Sequence, residues 1–528
     1  MAPFTHTPPH RTTVWRTLLI GLLVSAAGVL VPRLAGLSEL PTTDEGYYAY
    51  FGMRIASAWA GGHGLPADGY LMLYPLMTAW VFELPENPFV LLRMIDLLVA
   101  MAAGLLFFVM LRRESRDTAF AAILSLTFLL AMNALGFVQN GFKNSIFLSY
   151  IPLFLAVVLS QTERSPSRRR FVAIGSLVAL GVLIREPFAA FAVLAVAATW
   201  IRHGGRNAML VCVGGVLTAL LVCIPLLVLR GDVNALIAAY RDAGTMFSAF
   251  EDQRFELFVN AATSWAKASA LPLALSGAGV IAIIASSTRR GHRDIWGRGL
   301  FWIAVAGVPL IEPIMKIGFP YHFASSLPGL AGLCAFAWQV SIRPKIALPA
   351  ATLVAVAALV MTGPQWVKQL QDLPRAASNA YMTARHGWPT DAHGSSNYMI
   401  AADAIRQASP NGTTLSVSGF MFPLFPLSGK VPPSAQLSDL TLALIDMHMD
   451  RDRLLEALVA CPPEVIMTTT RTEWPGAKEI EEIVESTGMF MKVATIEVNP
   501  SISYGTFGGD VYTRVGTNVT VCRSVGGR

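Results

Sequence analysis

The stretch LPTTDEGYYAYFGMRIASAWAGG, residues 40–62, follows the first long apolar segment of the chain. It places Asp44 and Glu45 side by side, followed by three tyrosines, just beyond a segment long enough to cross a bilayer. Ionisable groups at membrane depth are costly and usually serve a function. If the surrounding sequence belongs to a membrane protein, the stretch predicts a polar site at the membrane surface.

The rest of the chain has the composition of an integral membrane protein. Of its 528 residues, 54% are hydrophobic and only 14% are charged, and the mean hydropathy is +0.52. Apolar segments that could cross a hydrocarbon core of roughly 30 Å recur up to residue 361. We expect about eleven spanning helices, at residues 14–36, 88–111, 118–137, 144–159, 171–184, 187–201, 208–229, 268–286, 300–315, 322–340 and 346–361.

Basic residues in alternate short loops indicate the orientation of these helices. Examples are Arg112 and Arg113, the run Arg168 to Arg170, and Arg289 with Arg290. The positive-inside rule then places the N-terminus in the cytoplasm of a plasma (inner) membrane protein. The loop at residues 37–87, with an interfacial helix at 69–82, and the C-terminal part are expected outside. The net charge of +6 is thus a topology signal, and we expect no nucleic-acid partner.

Two domains follow from the change of composition near residue 364. Residues 1–363 form the membrane domain, and residues 364–528 form an extracytoplasmic α/β domain. The strands are predicted at 413–420, 464–470, 492–498 and 510–515, with helices between them, and this alternation favours parallel pairing. No Gly-rich phosphate loop follows the first strand, so nothing indicates a nucleotide site. Cys461 and Cys522, both in this domain, could form a disulfide outside the cell.

The acidic pair has two interpretations. A carboxylate beside several cations at headgroup level suits a reaction between a hydroxyl and a phosphate-bearing lipid, because the carboxylate takes the hydroxyl proton while the cations stabilise the departing phosphate. The simpler alternative is a capping box, in which Thr42 caps a helix and Glu45 reaches back to it. Asp44 would then only favour the positive end of that helix.

The other polar residues at the outer helix ends also have simpler interpretations. Lys143 and Lys316 could be interfacial anchors that snorkel to the headgroups. Tyr47, Tyr48 and Tyr50 could form an aromatic belt, and His63 could be an ordinary loop residue. Arg185, in LIREPF between two short apolar arms, has little room to snorkel and therefore favours a function.

Four motifs together resemble the polytopic GT-C glycosyltransferases, in particular those related to protein O-mannosyltransferases and the lipid A aminoarabinose transferases. They are the acidic pair in TTDEGYYAYFGMRI, the turn and helix GGHGLPADGYLMLYPLMTAW, the hairpin GVLIREPFAAFAVL, and IMKIGFPYHFASSLPGLAGLCAF. The C-terminal part, with VSGFMFPLFPLSGKVPPSAQ, resembles the domain attached to many bacterial members. The resemblance covers nearly the whole chain.

The resemblance implies a GT-C membrane fold of about eleven helices with an outer α/β domain. It further implies transfer of a sugar, with inversion, from a polyprenyl-phosphate donor to an envelope acceptor, which is a lipid, a glycan or a protein. Asp44 would be the general base with Glu45 supporting it. Arg185, Lys316 and Lys143 would bind the donor phosphate, and the candidates for substrate binding are Tyr321, His322, Tyr47 and His63.

Two departures from the family pattern stand in this sequence. The turn QNGFKN lacks the second acidic residue of many relatives, and Leu71 and Met72 replace the prolines of a Lys-Pro-Pro motif.

Two alternative functions remain open: a transporter or flippase of lipid-linked sugars, and an O-antigen polymerase or ligase. No carboxylate cluster requires a tightly bound metal, and the question of a divalent cation stays open. We expect the outer domain to act as a lid or as an acceptor-docking module.

Overall fold

The computed structural model describes residues 11–61, 73–133, 145–161, 167–230, 233–234, 237, 254–287, 292–315, 320–341, 344–388, 396–434, 437–445, 449–470, 476–497 and 508–516. Contacts divide the chain into two compact units. We call residues 1–37, 93–223 and 253–378 the helical unit, and residues 38–92, 224–252 and 379–528 the α/β unit.

In the first three quarters of the chain the described elements are helices. In chain order they are α1 (Arg11–Ser25), α2 (Val31–Leu34), α3 (Thr43–Ala60), α4 (Leu73–Thr78), α5 (Pro88–Ser115), α6 (Thr118–Met132), α7 (Ser145–Ser160), α8 (Arg168–Ile184), α9 (Ala190–His203), α10 (Gly205–Arg230), α11 (Arg254–Ala268), α12 (Ala270–Ser287), α13 (His292–Gly307), α14 (Ile311–Met315), α15 (Pro320–Ala324), α16 (Leu327–Ser341) and α17 (Pro344–His386).

The helical unit has the character of a membrane protein. In the described part of the chain five helices are long and apolar enough to cross a bilayer, or six if the bent pair Phe255–Ala268 and Ala270–Ser286 counts as one span. They are Trp15–Ser38, Pro88–Ser115, Gly205–Leu229, Ile295–Ile314 and Tyr321–Ser341. The chain is therefore a multi-pass membrane protein, whereas the number of eleven spans stays a prediction.

Small residues bring these helices together. A Cβ added to Gly175 in α8 would lie 1.9 Å from the carbonyl oxygen of Val211 in α10, and one added to Gly214 would lie 2.1 Å from that of Val172. Such close backbone contact is how helices associate in lipid, where the hydrophobic effect gives little drive.

The remaining elements form the sheet of the α/β unit and its covering helices. They are α18 (Asn397–Ala408), β1 (Leu415–Val417), α19 (Leu424–Ser428), α20 (Leu440–Ile445), α21 (Arg451–Ala460), β2 (Val465–Thr469), α22 (Ala477–Ser486), β3 (Phe490–Ile496) and β4 (Gly509–Arg514). All four strands thus form where the sequence predicts them. Cys461 is disulfide-bonded, whereas Cys522 lies outside the described residues.

The sheet has the order β1-β2-β4-β3, and the prediction of parallel pairing is wrong for most of it. Only β1 and β2 run parallel, because helices connect them, whereas β4 pairs antiparallel with both β2 and β3. Only about a dozen residues separate the end of β3 at Ile496 from the start of β4 at Gly509, and a short return between neighbouring strands favours antiparallel pairing.

Each face of the sheet carries its own apolar core. Val465, Met467 and Val511 face α3, α18 and α19, whereas Ile466 and Tyr512 face α20, α21 and α22. The alternation follows from the period of two along a strand. α3 therefore belongs to the core of the α/β unit, although it is far from the other elements in sequence. The predicted boundary at residue 363 falls inside α17, which is one continuous helix.

Candidate active site

The acidic pair begins α3. The N-cap Thr42 is extended, with φ −98° and ψ 166°, and its backbone N–H donates to Glu45 Oε2 at 2.9 Å. Glu45 is fully buried, so the Glu45 half of the capping box is confirmed. Asp44 lies in the first turn of the helix, and its side chain lies outside the described part of the structure.

The tyrosines after the pair pack against protein. Tyr50 is 1% exposed, and its ring lies 4.8 Å from that of Phe425. The aromatic-belt interpretation is therefore wrong for Tyr50, because Phe422 and Phe425 of the C-terminal part cover its ring. The Tyr47 ring contacts Phe51 and Phe422 at 5.0 and 5.1 Å, and its contact with substrate stays a prediction.

Arg185 stands at the joint between α8 and α9, as the hairpin motif predicts. α8 ends because Arg185 is extended, with φ −143° and ψ 97°, and because Pro187 follows it. The guanidinium is buried, and its Nη2 donates to both Glu312 carboxylate oxygens, at 2.8 and 2.6 Å. His322 Nε2 lies 3.6 Å from Glu312 Oε1. Glu312 thus lies between two of the predicted site residues.

Neighbouring aromatic rings extend this cluster. The Tyr321 ring lies 4.3 Å from the ring of His322, and the Arg185 guanidinium lies 5.4 Å from the Phe188 ring. Tyr150 stacks on Phe188 at 5.7 Å. Contacts of a guanidinium with an aromatic face stabilise a cation that has left water.

A second buried ion pair lies at the other end of the same row of rings. Phe147 contacts Tyr150 at 6.1 Å, and the guanidinium of Arg33 lies 5.2 Å from the Phe147 ring. Arg33 in turn pairs with Asp96, and Arg93 donates to the carbonyl oxygen of Leu37 at 3.1 Å. The helical unit therefore holds two buried ion pairs joined by three rings.

Sequence reasoning missed Glu312, Arg33 and Asp96. The signal was present, because each is an ionisable residue within or beside an apolar segment, and such residues rarely occur there without a partner. What the sequence does not reveal is the partner, since 127 residues separate Arg185 from Glu312.

Three predicted site residues, Lys143, Lys316 and His63, lie outside the described residues. Within the described ranges, no group of three or more His, Cys, Asp or Glu side chains could hold a metal ion. The site residues fall into two sets, with Asp44, Glu45 and Tyr47 in the α/β unit and Arg185, Tyr321 and His322 in the helical unit.

Comparison with known proteins gives a match by structure only. No family model matches the chain, and no curated protein matches it. The fold is similar to that of ArnT from Cupriavidus metallidurans bound to undecaprenyl phosphate, with a TM-score of 0.51, 15% identity, and coverage of 96% of this chain and 98% of that one.

A second solved structure gives a weaker match. It is the oligosaccharyltransferase of Archaeoglobus fulgidus tethered with an acceptor peptide, at a TM-score of 0.49, 14% identity, and coverage of 96% and 74% of the two chains. The ArnT match extends over nearly all of both chains. The predicted fold, a GT-C membrane protein with a C-terminal α/β part, is confirmed.

Proposed function

We propose that the chain is a membrane glycosyltransferase that moves a sugar from a polyprenyl-phosphate donor to an envelope acceptor. The observation that carries this proposal is the end-to-end similarity of fold to ArnT, whose solved structure holds undecaprenyl phosphate. The acidic pair at the start of α3 and the buried cation Arg185 supply the residue types that the reaction needs.

In the proposed reaction an acceptor hydroxyl oxygen attacks the anomeric carbon of the donor sugar. The bond from that carbon to the phosphate oxygen breaks, and the polyprenyl phosphate leaves with the electron pair. Asp44 takes the hydroxyl proton as general base. Because attack and departure occur on opposite sides of one carbon, the configuration inverts.

The departing phosphate requires positive charge. We assign this role to Arg185, with Lys316 and Lys143, and we assign contacts with the substrates to Tyr321, His322, Tyr47 and His63. A guanidinium presents its N–H donors in a rigid fork that suits phosphate. Glu312, which binds Nη2, would hold that fork in one orientation. Glu45 supports the site by fixing the first turn of α3.

The proposal includes the orientation of the chain. Residues 1–363 would be the membrane domain and residues 364–528 the extracytoplasmic domain, with the N-terminus in the cytoplasm of the inner (plasma) membrane. The positive-inside pattern of the loops supports this arrangement. The donor and acceptor would meet at the outer face, and the acceptor would be a lipid, a glycan or a protein.

The test incubates the purified full-length protein with a radiolabelled polyprenyl-phosphate sugar and membrane acceptors. It measures how much labelled sugar is transferred to the acceptors. We expect wild type to consume the donor without any gradient, and Asp44→Asn to lose transfer by at least about a hundredfold, the usual contribution of a general base. Asp452→Asn, at an exposed carboxylate in the first turn of α21, is the matched control.

Two outcomes would contradict the proposal. Movement of labelled lipid between leaflets without consumption of the donor would identify a flippase instead. Normal transfer by Asp44→Asn would remove Asp44 from the mechanism.

A further inference from the structure

One face of α3 is covered by residues 420–425, FMFPLF, which we call the docking segment. The ring of Phe422 lies 5.1 Å from that of Tyr47 and 5.2 Å from that of Tyr50, and the ring of Phe425 lies 4.8 Å from that of Tyr50. All of these residues belong to the α/β unit and to its larger apolar core. The helix with the acidic pair is thus packed directly on the C-terminal part of the chain.

The contact is closest beside the acidic pair itself. A Cβ added to Gly46, the residue after Glu45, would lie 2.2 to 2.3 Å from Cγ, Cδ and the backbone nitrogen of Pro423. A backbone atom cannot move aside by changing a rotamer. Gly46 is therefore a position where only glycine lets the first turn of α3 approach the docking segment this closely.

The docking segment begins in a turn with an unusual backbone. Gly419 has φ +79° and Phe420 has φ +62°, and a side-chain-bearing residue rarely adopts that region. The backbone N–H of Phe420 donates to Asp439 Oδ2 at 2.7 Å, and that of Gly419 donates to Thr441 Oγ1 at 2.8 Å. Such a strained conformation persists only when several surrounding contacts hold it in place. Here the buried side chains of Asp439 and Thr441 provide those contacts.

We propose that the docking segment positions the acidic pair for the reaction. Asp439 and Thr441 fix the turn, the turn fixes Phe422, Pro423 and Phe425, and these side chains fix α3. The C-terminal part then acts as a fixed support of the site, in place of the lid that the sequence suggested. This inference rests on the proposed function, because that function gives Asp44 and Glu45 their roles.

The test compares Phe422→Ala with wild type in the full-length protein in lipid nanodiscs. The first measurement is hydrogen exchange of the amides of residues 46–54. We expect exchange to become about tenfold faster or more in the variant, because the helix loses the side chain that covers it.

The second measurement separates positioning from general damage. We expect kcat to fall by about tenfold or more, because small misplacement of a reacting group is costly. The donor KM should stay within about twofold, since the proposed phosphate ligands lie outside the docking segment and Tyr47 keeps its contact with Phe51. Phe422→Leu, which keeps an apolar side chain there, should recover most of kcat.

Phe490→Ala is the matched control. Phe490 packs in the core on the other face of the sheet, so its loss weakens the α/β unit without removing a contact to α3. We expect this variant to keep the wild-type exchange in residues 46–54 and the wild-type kcat.

Several results would overturn the inference. Unchanged exchange of α3 in Phe422→Ala would show that the segment does not hold the helix. Faster exchange with unchanged kcat, or equal loss of kcat in the Phe490→Ala control, would show that the contact does not position the site. An inactive wild type would overturn the proposed function, whereas the exchange measurement would still decide whether the segment holds α3.

Discussion

Glu312 in the helical unit and Asp439 in the α/β unit are both buried carboxylates, and they are stabilised in different ways. Glu312 binds the guanidinium of Arg185, from a distant joint between two helices. Asp439 accepts backbone N–H groups from Phe420, Thr441 and Leu442, all within a short stretch of chain.

The difference follows from where free backbone donors exist. In membrane-spanning helices the N–H groups are used within the helix, so a carboxylate there needs a side-chain cation. In the α/β unit, the turn at Phe420 and the first turn of α20 leave backbone N–H groups available to Asp439, because the first N–H groups of a helix have no partner within it. A carboxylate that accepts several such groups needs no cation. Substitutions at Glu312 and at Asp439 should therefore lower the unfolding free energy by different amounts, and the two losses should depend differently on pH.

The largest effect is expected from breaking the pair in the helical unit. Glu312→Gln leaves the Arg185 charge buried without its counterion, and we expect a loss of about 3–5 kcal/mol in unfolding free energy. The double variant Arg185→Gln with Glu312→Gln should recover much of this stability, because neither charge remains. Thermal midpoints of the detergent-solubilised full-length protein would measure it.

Glu186→Gln, next to Arg185 but at an exposed carboxylate, is the control and should change stability by less than about 0.5 kcal/mol. Additive losses in the double variant would contradict the comparison, since they would mean that the two charges do not stabilise each other.

A smaller, pH-dependent effect is expected at Asp439. Burial raises the pKa of the Asp439 carboxyl to about 6 from its ordinary value of 3.8, although the backbone hydrogen bonds act in the opposite direction. Since the folded protein holds this proton more tightly, the stability contribution is full below pH 3.8 and is lost as pH rises through about 6. Its size is at most about 3 kcal/mol.

Asp439→Asn removes this titration, so the stability of the variant relative to wild type should rise between pH 4 and 7. Pulse proteolysis of the full-length protein, with cleavage sites within the α/β unit identified by mass spectrometry, would measure the difference at each pH. A difference that falls with pH would show that the N–H donors dominate over burial, and that the carboxylate is held in its charged form.

The smallest effect is expected at Lys492 and Asp510 on the sheet. Lys492 Nζ lies 2.5 Å from Asp510 Oδ2, and the lysine side chain is 46% exposed. The Thr495 hydroxyl also donates to this carboxylate, at 2.7 Å. Because the lysine is already half exposed and Thr495 keeps its hydrogen bond to the carboxylate, we expect Lys492→Met to cost about 1 kcal/mol or less, as measured by the same proteolysis. If Lys492→Met lowered the unfolding free energy as much as Glu312→Gln does, carboxylates in the α/β unit would depend on a cation as strongly as those in the helical unit.

Local signals in the sequence determined much of the fold and one part of the candidate site. Hydropathy located the long helices, because crossing a membrane requires a continuous apolar run. Alternation located the four strands, and the pattern Thr42 to Glu45 predicted the cap of α3. Each of these depends on residues within a few positions of one another, which is why one sequence suffices to predict them.

The tertiary structure alone decided which distant residues meet. Nothing in the sequence pairs Arg185 with Glu312, Arg33 with Asp96, or α3 with the docking segment, because packing depends on shape and charge across long stretches of chain. The prediction of parallel pairing was wrong for the same reason. β4 is distant from β2 in the sequence, and the two strands become neighbours only in the folded chain. The sequence by itself thus determined the membrane character and the secondary-structure elements and supplied the candidate site residues, whereas the tertiary structure decided which distant residues hold Glu45 and Arg185 in place.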